Sequence, residues 1–268
     1  MISRRGLLTG GAAAAGVGVA GVVGWEAAPY NLRFQVRKKL GLEHPFVPDA
    51  AEGRVRVEQV TSTHMGPIDL FTAVPAGHGN GAGLPVVVVL HGGSATAASF
   101  RSIGLGHFVT AAVEAGAPPF VVAGTDDGPN GWLPTAGVDP QAMLHDELPG
   151  WLDQRGFAAD RRAVWGWSRG GYGALRYLQA RPGWARGLAL FSPALNAGNP
   201  VLDDLSMLGG LPWGLWCGES DPFHDGAVAL SREAPTAPDP WVQGDGGHTR
   251  VYWNAHTLEM LHFLTTTL

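Results

Sequence analysis

The chain has 268 residues, 45% of them hydrophobic, and carries 18 basic against 23 acidic residues for a formal charge of −5. That length and apolar content suit one large domain with a sizeable core, and the acidic balance excludes a global basic field for nucleic acid. Cys217 is the only cysteine, which excludes an intramolecular disulfide; its apolar neighbours Leu215 and Trp216 predict a buried thiol.

At the N-terminus, Arg4 and Arg5 precede an uncharged, Gly/Ala-rich stretch over residues 6–25. Paired arginines ahead of a weakly apolar run resemble a twin-arginine signal, so residues 1–28 are assigned to targeting and the protein is expected to be exported: secreted, periplasmic or held at the cell envelope. An uncleaved anchor is the alternative, because about 20 apolar residues can span a bilayer, and it implies membrane association through this segment. Without residues 1–28, 16 basic residues face 22 acidic ones and the formal charge is −6. Residues 29–53 are expected to form a linker or N-terminal extension, with Arg33, Arg37, Lys38 and Lys39 on a solvated helix face or, as the alternative, against anionic lipid.

From residue 54 onward a catalytic domain is expected. Residues 55–60 alternate apolar and polar, as a half-buried strand does, and residues 68–74 read as a second strand ended by Pro75. Residues 85–90 are a continuous β-branched run, the mark of a strand covered on both faces in a parallel sheet. Helical patterns at 108–115, 141–154, 170–180, around Val228 and at 251–264 alternate with strand patterns at 120–123, 163–167, 188–191, 213–217 and 241–243. Such alternation predicts right-handed crossovers and a mostly parallel central sheet with helices on both faces, an α/β fold. The long loop 192–212 is expected to shape a pocket entrance.

The chemical signal is Gly166-Trp167-Ser168-Arg169-Gly170, with Gly171 after it. It matches G-x-S-x-G in the context that gives the motif meaning: an apolar strand before it and a helix after it. A strand-to-helix turn that sharp needs small residues on either side and lifts the serine above the carboxyl edge of the sheet, where open α/β sheets bind ligands. A serine hydroxyl is a weak nucleophile and needs a base. In the α/β-hydrolase order the base comes last, and His248 lies in a Gly-rich loop before the terminal helix, whereas His256 and His262 lie within that helix and His224 in an earlier loop. The orienting carboxylate is Asp221, after the strand ending near Cys217, with Glu219 and Asp225 as neighbours on the same loop. The oxyanion donors are expected to be the N–H groups of Arg169 and of Gly93, with Ser94 as alternative, in the loop His91-Gly92-Gly93-Ser94. His91 is expected to pack beneath that loop. Trp132, Trp167 and Trp213 are candidate pocket walls, Trp132 foremost because its Gly/Pro/Asn-rich loop should overlie the carboxyl edge.

These stretches, together with Leu90-His91-Gly92-Gly93, Cys217-Gly218-Glu219-Ser220-Asp221, Gly247-His248 and Asp126-Asp127-Gly128-Pro129-Asn130-Gly131-Trp132, resemble the esterase-D/antigen-85 group of α/β-hydrolases over roughly residues 54–265. The resemblance implies esterase, thioesterase or acyltransferase chemistry without a cofactor. It points to a serine esterase that forms an acyl-Ser168 intermediate on a small-molecule or cell-envelope ester. Acyl transfer onto a sugar or other alcohol is the first rival, and a non-catalytic binding protein on the same fold the second. No zinc motif, P-loop or dinucleotide fingerprint is present in the sequence.

Overall fold

The computed structural model describes residues 28–268, so the twin-arginine segment lies outside the described residues. Two compact units divide the chain at His44/Pro45. The first contributes α1 (Tyr30–Lys39), which buries no side chain and carries Arg37, Lys38 and Lys39 in its last turn. No helix among the described residues is long and apolar enough to cross a membrane.

The second unit begins within the segment expected to be a linker. Residues 45–53 are held by specific contacts: Phe46 meets Phe108 edge-on with ring centroids 5.9 Å apart, the Phe46 carbonyl accepts from Asn254 Nδ2 at 2.7 Å, and Glu52 takes a bidentate pair from Arg101 at 2.8 and 2.9 Å. Of residues 29–53, expected to form a linker or N-terminal extension, residues 45–53 belong to the second unit, anchored through a backbone carbonyl and an ion pair that sequence patterns do not reveal.

An eight-stranded sheet organises the unit. Its strands are β1 (Arg54–Ser62), β2 (Gly66–Val74), β3 (Pro85–Leu90), β4 (Val121–Thr125), β5 (Ala158–Trp167), β6 (Leu188–Phe191), β7 (Trp213–Trp216) and β8 (Trp241–Val242), in the order β1-β2-β4-β3-β5-β6-β7-β8. Pairings involving β1 or β2 are antiparallel; all the others are parallel. This is the α/β-hydrolase fold expected from the alternation of elements. Along β3, Val86, Val88 and Leu90 join one core and Val87 and Val89 the other, so the strand is apolar throughout because both its faces are covered. Helices α2 (Ser99–Ile103) and α3 (Leu105–Glu114) and the C-terminal α7 (Arg250–Thr265) place their apolar side chains in one core; α4 (Leu148–Gln154), α5 (Arg169–Ala180) and α6 (His224–Glu233) place theirs in the other. The helix expected over 141–154 is divided: a short turn (Pro140–Ala142) and a π-helical turn (Met143–Glu147) precede α4. Pro149, which has no N–H to donate, accounts for the break.

The sheet order positions the site. β3 lies between β4 and β5, so the chain leaves β3 to one side and returns on the other, and the C-terminal ends of β3 and β5 flank a topological switch point. The crossing is tight. A Cβ on Gly170 would lie 2.0 Å from the Leu90 carbonyl oxygen and 2.6 Å from that of His91, both backbone atoms with no freedom to retreat. Gly150, within α4, has nothing within 4 Å of its Cβ position. Urea denaturation should therefore separate two glycine-to-alanine changes. Gly170→Ala should lose about 2–4 kcal/mol, whereas Gly150→Ala should gain about 0.5–1 kcal/mol.

Candidate active site

The turn between β5 and α5 holds Ser168 at φ 55°, ψ −124°, a conformation that L-residues seldom adopt. Three backbone hydrogen bonds fix it. The Ser168 N–H donates to the Phe191 carbonyl at 2.9 Å, and its carbonyl accepts from Ala194 N at 2.9 Å and Tyr172 N at 3.1 Å. Glycines make room: a Cβ on Gly166 would meet the Gly170 carbonyl oxygen at 2.5 Å, and one on Gly171 would meet Pro193 at 3.1 Å. The residue pattern G-x-S-x-G-G is thus a steric requirement of the turn.

Two distant loops bring the partners to this serine. His248 Nε2 lies 2.9 Å from Ser168 Oγ. On the other side of the ring, Nδ1 lies 3.0 and 3.2 Å from the two carboxylate oxygens of Asp221, whose side chain is fully buried. A carboxylate on Nδ1 requires the proton on that nitrogen and leaves the Nε2 lone pair facing the hydroxyl. Asp221 Oδ1 also accepts from Phe223 N at 2.9 Å, which fixes the carboxyl plane. The imidazole stands edge-on to Phe223 at 5.2 Å and to Trp253 at 4.9 Å, and Trp253 Nε1 donates to Ser192 Oγ at 3.0 Å. Ser192, in turn, has φ 45° as the chain leaves β6.

The alternatives considered from sequence stand elsewhere. Glu219 and Asp225 are exposed. His224 Nε2 pairs with Gln243 at 3.1 Å, and His256 pairs with Glu259 at 3.3 Å. His262 is exposed on α7. Cys217 is fully buried, and desolvation pushes its thiol well above the ordinary range, so it stays protonated.

The loop after β3 passes close to Ser168. A Cβ on Gly92 would come within 3.0 Å of Ser168 Cβ and 2.8 Å of Trp167 Nε1, so only glycine lets the backbone through. Gly93 is exposed and lines the same cavity as Ser168. Arg169 opens α5, and the first N–H groups of a helix have no acceptor within it. Ser94 adopts φ 61° and returns its hydroxyl to the Gly93 carbonyl at 2.6 Å.

Beneath the loop lies a brace whose side-chain contacts the sequence reading did not foresee. His91 is fully buried, and its Nδ1–H donates to the Gly92 carbonyl at 2.9 Å. Burial lowers the basicity of this ring and raises the pKa of Asp127, whose carboxylate takes a hydrogen bond from Arg169 Nη2 at 2.6 Å. Asp126 receives backbone N–H groups from both Asp69 and Ala97 at 2.8 Å. Two adjacent acids after an apolar strand were the available signal, since a buried carboxylate needs donors.

Two tryptophans are corrected. Trp132 does not line the cavity: it is 1% exposed, its Nε1 donates to the His91 carbonyl at 2.9 Å, and it packs so closely on Gly173 that a Cβ there would lie 2.3 Å away. It supports the glycine loop after β3 from below. Trp213 starts β7, at the opposite edge of the sheet, where its Nε1 donates to the Thr236 carbonyl at 3.1 Å. Trp167 does line the cavity, with Trp165 and Trp253. The cavity is about 380 Å³ and opens between the β3–α2 loop and the first turns of α7. The 192–212 loop supplies none of its lining residues; it folds into two short 3₁₀ turns over the other core.

Comparison with known proteins agrees with this architecture. The family model described as "Esterase: Putative esterase" matches residues 62–255. A ferulic acid esterase superposes with a TM-score of 0.71 at 19% identity, covering 80% of this chain and 98% of its own. The feruloyl esterase module of Clostridium thermocellum gives 0.68 at 15% identity, covering 84% and 94%, and an S-formylglutathione hydrolase of Staphylococcus aureus gives 0.61 at 16%, covering 79% and 98%. No curated protein matches the sequence.

The Asp221 carboxylate can be tested against its neighbours. Asp221→Asn should slow capture of Ser168 by a fluorophosphonate by about 10³–10⁴-fold, because an amide favours the wrong imidazole tautomer. Glu219→Ala and Asp225→Ala should leave the labelling rate within about twofold, as befits exposed side chains.

Proposed function

We propose, from the premise that this chain belongs to the esterase family and is an ester-hydrolysing enzyme, that it works through an acyl-Ser168 intermediate. The observation that carries the reading is the unbroken relay from Ser168 Oγ to His248 Nε2, 2.9 Å, and from His248 Nδ1 to Asp221, 3.0 Å. As Ser168 Oγ attacks the ester carbonyl, its proton passes to His248 Nε2. The imidazolium so formed is held against the buried Asp221 carboxylate, which makes no contact with the substrate. Negative charge on the former carbonyl oxygen falls to the N–H groups of Arg169 and Gly93, each worth about 2.7–4 kcal/mol in systems of this type. Collapse expels the alkoxide, which takes the proton from His248. Water then repeats the sequence on the acyl-enzyme and frees the acid.

The paired arginines and the uncharged run after them support export, and with it an extracytoplasmic ester as substrate. Acyl transfer to an alcohol starts from the same acyl-enzyme and differs only in the acceptor.

Ser168→Ala should lower ester turnover by about 10⁶-fold while the far-UV spectrum is retained; undiminished turnover would remove the mechanism. Mass spectrometry of wild-type protein quenched during turnover should find the acyl group on the peptide containing Ser168. With glycerol or a sugar present, free acid as the dominant product supports hydrolysis, whereas a new ester establishes transfer.

A further inference from the structure

The active-site cavity has a marked charge asymmetry. Among the described residues, its wall holds one ionisable side chain apart from the imidazole of His248, Arg250, and no aspartate or glutamate. Arg250 is exposed at the start of α7, two residues beyond the catalytic histidine. It makes one hydrogen bond, from Nη2 to the Ser102 carbonyl at 3.1 Å, and no ion pair among the described residues. A guanidinium has five N–H donors, so most remain available. The fold holds the arginine near the nucleophile. Thr249 caps α7 by accepting from Tyr252 N at 3.3 Å, and Asn254, one turn on, is tied to the carbonyls of Phe46 and Ile103 at 2.7 and 3.3 Å. Indole from Trp165, Trp167 and Trp253 also lines the cavity.

We propose that Arg250 is a specificity determinant that selects esters bearing a carboxylate, the anion pairing with its guanidinium while the body of the substrate lies on the indole wall. The inference rests on ester hydrolysis at Ser168 and names the class of ester that the same site takes. A planar guanidinium is suited to a carboxylate because it can donate two parallel hydrogen bonds. The folded unit is otherwise acidic overall, so attraction of an anionic substrate must come from a local cation. Because Arg250 is exposed at the cavity mouth, the pairing is open to screening by salt.

The test compares two matched ester pairs. One pair, 4-nitrophenyl butyrate and mono-4-nitrophenyl glutarate, places the anion on the acyl group. The other, phenyl acetate and 3-carboxyphenyl acetate, places it on the leaving group. The readout is the ratio of kcat/KM for the anionic member to that for the neutral member, corrected for spontaneous hydrolysis, so any general loss of folding cancels. Wild type should favour the anionic member of at least one pair by about tenfold at low ionic strength. The ratio should shrink as salt is added, collapse toward one in Arg250→Gln and be largely kept in Arg250→Lys. A ratio at or below one in both pairs, or one that Arg250→Gln leaves within about twofold, overturns the inference while leaving hydrolysis of the neutral esters, and the esterase reading, intact. Hydrolysis of none of the four esters overturns that reading and the inference with it.

Discussion

The contact between Ser168 and His248 depends on the backbone of Ser168 being held where L-residues rarely go, at φ 55° between the last residue of β5 and the first of α5. That conformation costs about 1–3 kcal/mol and persists only because its surroundings over-determine it. The Ser168 amide is bound to the β6 end through Phe191, and its carbonyl to Ala194 and Tyr172. Glycines at 166, 170 and 171 admit neighbouring backbone where a single methyl would collide. The strain aims the hydroxyl away from the sheet toward His248. The same turn leaves the Arg169 N–H without an acceptor in its helix, so the serine and this donor are presented by one turn.

Around that turn the site is assembled from loops that leave neighbouring strands. β3 supplies the glycine loop, β4 the Asp126–Asp127 pair that braces it, β7 the loop with Asp221, and β8 the loop with His248. Parallel pairing sends all these strands out on one edge, which is why residues 80 positions apart, Ser168 and His248, meet at 2.9 Å. Asp221 is buried and receives a backbone N–H and the imidazole; the Cys217 thiol close by is kept protonated by its burial.

Much of this was legible in the sequence because the relevant constraints are local. The β-branched run at 85–90 can only be a strand covered on both sides, and G-x-S-x-G-G between strand and helix is a steric signature. The order Ser168, Asp221, His248 follows once the fold is assumed. What escaped was set by tertiary packing. Trp132 sits in a loop of pocket-forming composition, yet its indole N–H is taken by the His91 carbonyl and its ring by Gly173, neither of which its own neighbourhood announces. Residues 45–53 look like linker but are anchored through backbone carbonyls and an ion pair to distant helices. Arg250 and Trp253 line the cavity from the first turn of α7, and periodicity does not show what a helix's first turn faces.

The proposed chemistry depends on where negative charge is held when Ser168 carries a tetrahedral adduct. A crystal structure of the protein after reaction with a fluorophosphonate measures this directly. Phosphorus should be bonded to Ser168 Oγ, with one phosphoryl oxygen about 2.7–3.1 Å from the amide nitrogens of both Gly93 and Arg169 and His248 still paired with Asp221. An adduct on another side chain, or a phosphoryl oxygen turned to solvent with neither amide in reach, would contradict it.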